Sequence, residues 1–233
     1  KAECICVAYD GMERFFPVDK IKITGNPLRK KVVDGAKSVS REEAKRKLGF
    51  SPDRSLVVIT GGSLGARTLN RSIACDLKKI TDAGINVLWQ TGRLYAGEYT
   101  PMALCYGPDT VQIVPFLDHM DLVYAAADLI VARAGASTIS EIQATGAASL
   151  LVPSPNVAED HQTHNAMALA SRGAAAMEPD ATLEGRLGDL ITDLAGSVGK
   201  LEEMGLQASR MGIADSDDRI AALAIELARK SKK

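Results

Sequence analysis

Two stretches of the sequence combine glycine, small hydroxyl residues and a helical pattern just behind them, which is the chemistry of a phosphate cradle. The first is TGGSLGAR (residues 60–67), where Gly62 and Ser63 are the candidate contacts. Its glycines let the backbone approach a ligand, Ser63 adds a hydroxyl, and the following helix offers free N–H groups and a positive dipole end. It lacks the Lys-Ser/Thr pair of a Walker A loop, and Thr60 stands where GxGxxG needs its first glycine. A tight strand–helix turn has the same composition. The second stretch, RAGASTISE (133–141), sets Gly135, Ala136, Ser137 and Thr138 at another helix start, with Glu141 one turn further in. Two such starts in one sheet suit an anion spread over two phosphates. Glu141 has two readings: a carboxylate favoured by the helix dipole, with Ser137 or Thr138 as cap, or an acceptor for both hydroxyls of a ribose.

Two further loops carry candidate groups. PFLDHMDL (115–122) puts Phe116 and Leu117 where they either flank a base or form a hydrophobic staple before a helix. PNVAEDHQTHNA (155–166) gathers Asp160, His161, Gln162, His164 and Asn165 at a helix start. His161 and His164 with Asp160 hint at a metal, but no third ligand is well placed. An amide-rich cluster suits sugar hydroxyls better.

These loops need a scaffold, and the patterning supplies one. SREE (40–43) is a capping box that starts a helix running to about Leu48. Short aliphatic runs at 55–60, 86–90, 111–114, 129–132 and 148–152 read as buried strands, with AAAM (174–177) as a last edge strand. Helical patterns lie at 66–83, 120–127, behind Gly135, at 162–171 and at 217–230. Strands alternating with helices at this spacing predict βαβ units in a doubly wound parallel sheet. In such sheets ligands bind beyond the carboxyl ends of the strands, where all four loops lie. Residues 1–24 fall outside this rhythm, with two short strands, and Gly25-Asn26-Pro27 has the chemistry of a linker.

Composition agrees with that scaffold. Hydrophobic residues make up 46% of the 233 and aromatics only 4%, so the core must be aliphatic. A formal charge of −1 provides no global field to hold nucleic acid. No uninterrupted apolar stretch reaches membrane-spanning length, and no leader-like segment opens the sequence, so a soluble chain is expected. Cys4, Cys6, Cys75 and Cys105 show no CxxC spacing and are expected to be buried, reduced thiols of a cytoplasmic protein, with Cys4 and Cys6 on one strand face. The chain opens at Lys1 inside the apolar run ECICVAY, which reads as a fragment of something longer.

TGNPLR (24–29), GGSLGARTLN (61–70), WQTG (89–92), DLVYAAADLIVARAGASTISEI (121–142) and HQTHNA (161–166), in that order and spacing, resemble the MurG-type transferases. Those enzymes move N-acetylglucosamine from UDP-GlcNAc onto lipid I, giving lipid II for peptidoglycan. The resemblance implies the Rossmann-like carboxyl-terminal half of a GT-B glycosyltransferase. Residues 1–24 would be the remnant of the amino-terminal acceptor domain, 25–215 the UDP-GlcNAc-binding domain, and 216–233 a helix that crosses back. It further implies that Gly62 and Ser63 touch phosphate, that Phe116 and Leu117 line the uracil site, and that Glu141 holds the ribose hydroxyls. Gly135, Ala136, Ser137 and Thr138 would bind diphosphate and sugar through the backbone, and Gln162 and Asn165 would read GlcNAc hydroxyls. Arg29 and Arg133 match arginines near the diphosphate. His164 stands where the family often has Lys and receives no role.

No cofactor or metal is implied. The catalytic base, the acceptor site and the membrane-facing surface belong to the amino-terminal domain in this family, so the resemblance places no catalytic residue in this chain. It implies donor binding with little or no transfer, at the cytoplasmic face of the bacterial membrane. The alternatives are another GT-B UDP-sugar transferase or epimerase, or a donor-binding subunit that needs a separate partner chain. An NAD-dependent oxidoreductase is opposed by Thr60 and by Gln90-Thr91-Gly92, where an acid for the ribose is due.

Overall fold

Each expected aliphatic run forms a strand in the computed structural model, which describes residues 2–8 and 11–230. Tyr9, included in the expected first strand, lies outside the described residues. From β1 (Ile5–Val7) and β2 (Ile21–Ile23) the chain passes through α1 (Lys30–Lys37) and α2 (Arg41–Lys47). It continues as β3 (Leu56–Thr60), α3 (Arg67–Asp82), β4 (Asn86–Gln90), the short α4 (Ala96–Tyr99) and β5 (Val111–Val114). Then come α5 (Met120–Ala126), β6 (Leu129–Ala132), α6 (Ala136–Thr145), β7 (Ser149–Leu151), α7 (His161–Ala170) and β8 (Ala176–Met177). Three helices close the described chain: α8 (Leu187–Ala195), α9 (Val198–Met211) and α10 (Ser216–Lys230).

The main sheet is six-stranded and parallel, in the order β5-β4-β3-β6-β7-β8. The chain therefore winds from the centre to one edge, returns to the middle at β6, and continues to the other edge. Alternate residues of β3 enter opposite cores. Val57 and Ile59 pack with Leu69, Ile73 and Leu77 of α3. Leu56 and Val58 pack with Val123 of α5 and with Ile139 and Ile142 of α6. The helices that follow β3 and β6 thus leave the sheet on opposite faces, and a crevice opens between their starts. Register makes the crevice flush, since Thr60 is level with Gln90 on one side and with Ala132 on the other.

The loops after β3 and β4 touch backbone to backbone. A Cβ on Gly65 (φ +83°) would sit on the Thr91 carbonyl, and one on Gly92 (φ +81°) would overlap Gly65. Behind them, buried Asn70 of α3 accepts from Trp89 Nε1 (3.0 Å) and donates to the Thr91 carbonyl (2.8 Å). That network ties the start of α3 to the end of β4.

Several expectations are refined. Ser40 caps α2, with Glu43 N–H donating to Ser40 Oγ at 3.2 Å, but the Glu43 carboxylate pairs with Lys47. Four helices, α1, the short α4, α8 and α9, lie where the sequence patterning predicts none. The cysteine expectation fails on burial: all four are free thiols, but Cys6, Cys75 and Cys105 are exposed and Cys4 is half-buried. Cys75 falls between the buried Ile73 and Leu77 of α3, on that helix's outward side, and Cys6 belongs to an open two-stranded ribbon. β1 and β2 form that separate parallel pair, away from the main sheet. Lys230, hydrogen-bonded to Glu226 on α10, and more weakly Lys22 of β2 hold that carboxyl below its usual range.

Gly84 also has positive φ (+78°), with nothing near its absent Cβ. Gly84→Ala is expected to cost about 1–2 kcal/mol from backbone conformation alone. Gly65→Ala adds a steric collision and is expected to cost clearly more, read as a larger drop in urea midpoint.

Candidate functional site

Two cavities meet at the crevice. The larger, about 700 Å3, lies over the Gly-rich loop and is lined by Gly62, Ser63, Arg67, Arg133, Gly135, Thr138, Gln162 and Asp180, among others. The smaller, about 370 Å3, is lined by Arg29, Gln90, Phe116, Leu117, Tyr124, Ser137 and Glu141. Thr60, Gly62, Ser63 and Thr138 border both, so the two form one bent, two-lobed cleft. Its waist is framed by the Gly-rich loop on one side and the first turn of α6 on the other.

Glu141 lines the smaller lobe and is only 6% exposed. The N-cap of α6 is Gly135, which has no side chain to cap with, so neither Ser137 nor Thr138 fills the capping role considered for them. Glu141 is five residues into the helix from Ala136 and is itself no cap. Its carboxylate is held from two sides. Arg29 Nε donates to Oε1 at 2.8 Å, and Tyr124 Oη donates to Oε2 at 3.0 Å. The hydrogen bond to Glu141 holds the Arg29 guanidinium above its ordinary value. Burial pushes the Tyr124 phenol well above its usual value, and the Glu141 charge adds to the effect.

Phe116 is 42% exposed, with the Arg93 guanidinium 5.6 Å from its ring centre. It faces the smaller lobe instead of stapling α5, whose N-cap is His119. Leu117 lines the same lobe. Gln90, at the carboxyl end of β4, brackets the cleft: its Nε2 donates to the Gly62 carbonyl (2.8 Å) and the Pro115 carbonyl (3.3 Å), and its Oε1 accepts from Thr60 Oγ1. The Gly-rich loop and the loop that carries Phe116 are thus fixed to one side chain.

The larger lobe is less charged than its arginines suggest. Arg133 Nη1 donates to the Val152 (3.1 Å) and Pro153 (3.2 Å) carbonyls and is ion-paired with Asp180, both side chains being largely buried. Arg67, the first residue of α3, also lines this lobe, and no carboxylate pairs with it among the described residues. Gln162 Oε1 accepts from Ser154 N–H at 3.0 Å. Asn165 does not line either lobe; its amide donates to the Ala134 carbonyl at 3.1 Å and so supports the β6–α6 turn from behind. Ala136 also stays out of the lining, and its carbonyl accepts from the Asn26 amide. Asp160 accepts from Thr163 Oγ1 at 2.6 Å. Among the described residues no group of three or more His, Cys, Asp or Glu is placed to hold a metal ion.

This chain matches the model of the glycosyltransferase family 28 C-terminal domain over residues 56–220. The chain belongs to glycosyltransferase family 28. It is 41% identical over 99% of its length to a Bacteroides fragilis protein named UDP-N-acetylglucosamine--N-acetylmuramyl-(pentapeptide) pyrophosphoryl-undecaprenol N-acetylglucosamine transferase, covering 61% of that protein. A Parabacteroides distasonis protein of the same name is 50% identical over 79% of the chain, which covers 50% of the relative. The chain thus spans about half to three fifths of these relatives. Among solved structures, Acinetobacter baumannii MurG superposes with a TM-score of 0.72 at 27% identity, over 95% of this chain and 60% of that one. A putative UDP-N-acetylglucosamine 2-epimerase from Listeria monocytogenes (TM-score 0.61, 16% identity, 90% of this chain and 53% of that one) shares the fold alone. The six-stranded sheet is therefore the Rossmann-like carboxyl-terminal half of a GT-B glycosyltransferase.

In this family 28 domain, four residues of the cleft escaped sequence reasoning as site determinants: Tyr124, Gln90 as a bracket, Arg67 and Asp180. Tyr124 and Arg67 lie inside the motifs DLVYAAADL and GGSLGAR, but their partners, or lack of them, are tertiary facts.

The phenol's raised pKa has a consequence for stability. The unfolded chain releases the Tyr124 proton near its ordinary value of 10.0, while the folded chain keeps it, so the stabilisation is complete below that pH and is lost as pH rises above it. Unfolding free energy is expected to fall above pH 10 by up to about 1.4 kcal/mol per pH unit from this group. Tyr124→Phe should make that slope shallower in urea titrations between pH 9 and about 11.

Proposed function

We propose that this chain is the donor-binding half of an inverting transferase that moves GlcNAc from UDP-GlcNAc onto lipid I, yielding lipid II. The two-lobed cleft at the switch point carries the proposal, because its sequence of chemistries follows the order of a nucleotide sugar. Phe116 and Leu117 line the uracil, Leu117 through its backbone. Glu141 accepts from the ribose hydroxyls. The diphosphate lies at the waist against Gly62, Ser63 and the first-turn N–H groups of α6, from Gly135 to Thr138. The sugar fills the larger lobe near Gln162, with Asn165 shaping its wall. Arg29 closes the ribose end, Arg133 stiffens the larger lobe, and Arg67 supplies the unpaired cation there. The names of the relatives, which specify this donor and acceptor, support the same reading.

In this scheme the chain's contribution to catalysis is leaving-group stabilisation. As the glycosidic bond breaks, negative charge grows on the UDP phosphates, where two helix starts and Arg67 are already oriented to receive it. The base that takes the acceptor's proton belongs to the amino-terminal half, so no residue of this chain is catalytic and the chain alone turns over little or no lipid I. No cofactor or metal enters the scheme. Residues 25–215 form the donor domain, 1–24 belong to the acceptor domain, and α10 is the helix that crosses to it; residues 231–233 of the expected segment lie outside the described residues. The complete enzyme works at the cytoplasmic face of the bacterial membrane, with lipid contact through the amino-terminal half; among the described residues no helix is long and apolar enough to cross a membrane.

Thermal melts with UDP, UDP-GlcNAc, UDP-Glc and NAD test the reading. UDP and UDP-GlcNAc at 100 times their dissociation constants are expected to add about 2.7 kcal/mol. Stabilisation by NAD with none by UDP would overturn it. By calorimetry, Glu141→Ala is expected to lose about 1.5–3 kcal/mol of UDP affinity. Arg67→Ala should weaken UDP binding while leaving the weaker binding of uridine unchanged; equal losses for both would remove Arg67 from the phosphate site.

A further inference from the structure

Glu141 is oriented by two donors of different character. Arg29 reaches it from the linker, and its side chain is 60% exposed. Tyr124 comes from α5, is 6% exposed, and has its ring packed in the same core cluster as Ile139 and Ile142 of α6. The guanidinium is therefore solvent-screened, whereas the phenol is held by its ring in the core. A carboxylate offers about four lone-pair positions. Tyr124 and Arg29 occupy one on each oxygen, and one on each oxygen remains for the lobe that Glu141 lines. A vicinal diol needs both of those at once, which requires the plane of the carboxylate to be set in advance.

We infer that Tyr124 is a positioning residue that makes this site selective for ribonucleotides: its buried hydroxyl sets the plane of Glu141 so that both ribose hydroxyls are accepted together. The inference rests on the reading of Glu141 as the ribose ligand. Loss of the Tyr124 hydroxyl leaves the charge of Glu141 in place but frees the carboxylate to turn. Binding then survives, while the gain from having the second hydroxyl falls. Arg29, whose side chain is exposed to solvent, does not substitute for the phenol.

The test measures UDP and 2′-deoxy-UDP by calorimetry on the wild-type chain, Tyr124→Phe and Glu141→Gln, with a thermal melt of each variant. Tyr124→Phe keeps the ring in the core. The wild type is expected to prefer UDP by about 10-fold or more, the size of a hydrogen bond to a charged group. Tyr124→Phe should reduce that preference at least about 3-fold, by weakening UDP and leaving 2′-deoxy-UDP nearly unchanged. A merely structural role lowers both affinities together and leaves the ratio at the wild-type value, which overturns the inference. If Glu141→Gln keeps the full preference, the ribose reading itself is wrong. If Glu141→Gln abolishes it and Tyr124→Phe does not, only the role of Tyr124 fails.

Discussion

A parallel sheet wound in both directions must reverse somewhere, and at the reversal neighbouring strands send their helices to opposite faces. In this chain the reversal falls between β3 and β6, whose carboxyl ends are level at Thr60 and Ala132. The start of α3 and the start of α6 therefore diverge from the same rim, where a helix's first-turn N–H groups have no intrahelical carbonyl to bond. Neither helix could be moved to the other face without reversing the inward set of its strand, because Val57 and Ile59 serve one core and Leu56 and Val58 the other. The crevice is what close packing on both faces leaves open.

Polar side chains then give the crevice its shape. Gln90 stands where a dinucleotide-binding sheet would place a ribose acid, and it instead links Thr60, Gly62 and Pro115. In the proposed donor site the ribose ligand is a carboxylate on the other side of the switch point. That carboxylate is Glu141, and its burial is made tolerable by Arg29 and Tyr124. The linker joins the same arrangement: the Asn26 amide donates to Ser140 Oγ at 3.0 Å, and Ser216 Oγ donates to the Asn26 carbonyl. Asn26 is thus fastened to the helix that carries Glu141, and Ser216 is fastened to Asn26.

The strands and most helices were legible because their signals are local. Short β-branched runs ended by glycine or proline can bury only as strands, and Ser40 or Gly84 marks a helix end by its own conformational preference. The helices that were missed lack such signals. Arg186 precedes α8 and Ser197 precedes α9 without a side-chain cap, and α9 carries Gly199 and Gly205 in its interior. Gly205 lies so close to the Gly146 carbonyl that a Cβ there would collide with it. Close packing, rather than propensity, makes α9 a helix. The cysteines failed for the opposite reason: Cys is apolar enough to suggest burial, yet Cys75 lies on the outward side of an amphipathic helix.

By itself the sequence determined the class of fold, the two Gly-rich helix starts and the set of residues from which a nucleotide-sugar site could be built, since each depends on residue type and short spacing. Only the tertiary structure decided which members of that set face the cleft. It turned Asn165 toward the Ala134 carbonyl, engaged Arg133 with Asp180, left Arg67 without a counter-ion among the described residues, and set Tyr124 against Glu141. Glu141 itself could be either a dipole-favoured carboxylate or a ligand on pattern alone. Its partners on α5 and in the linker decide its environment, and those meet it only because the winding reverses at β6.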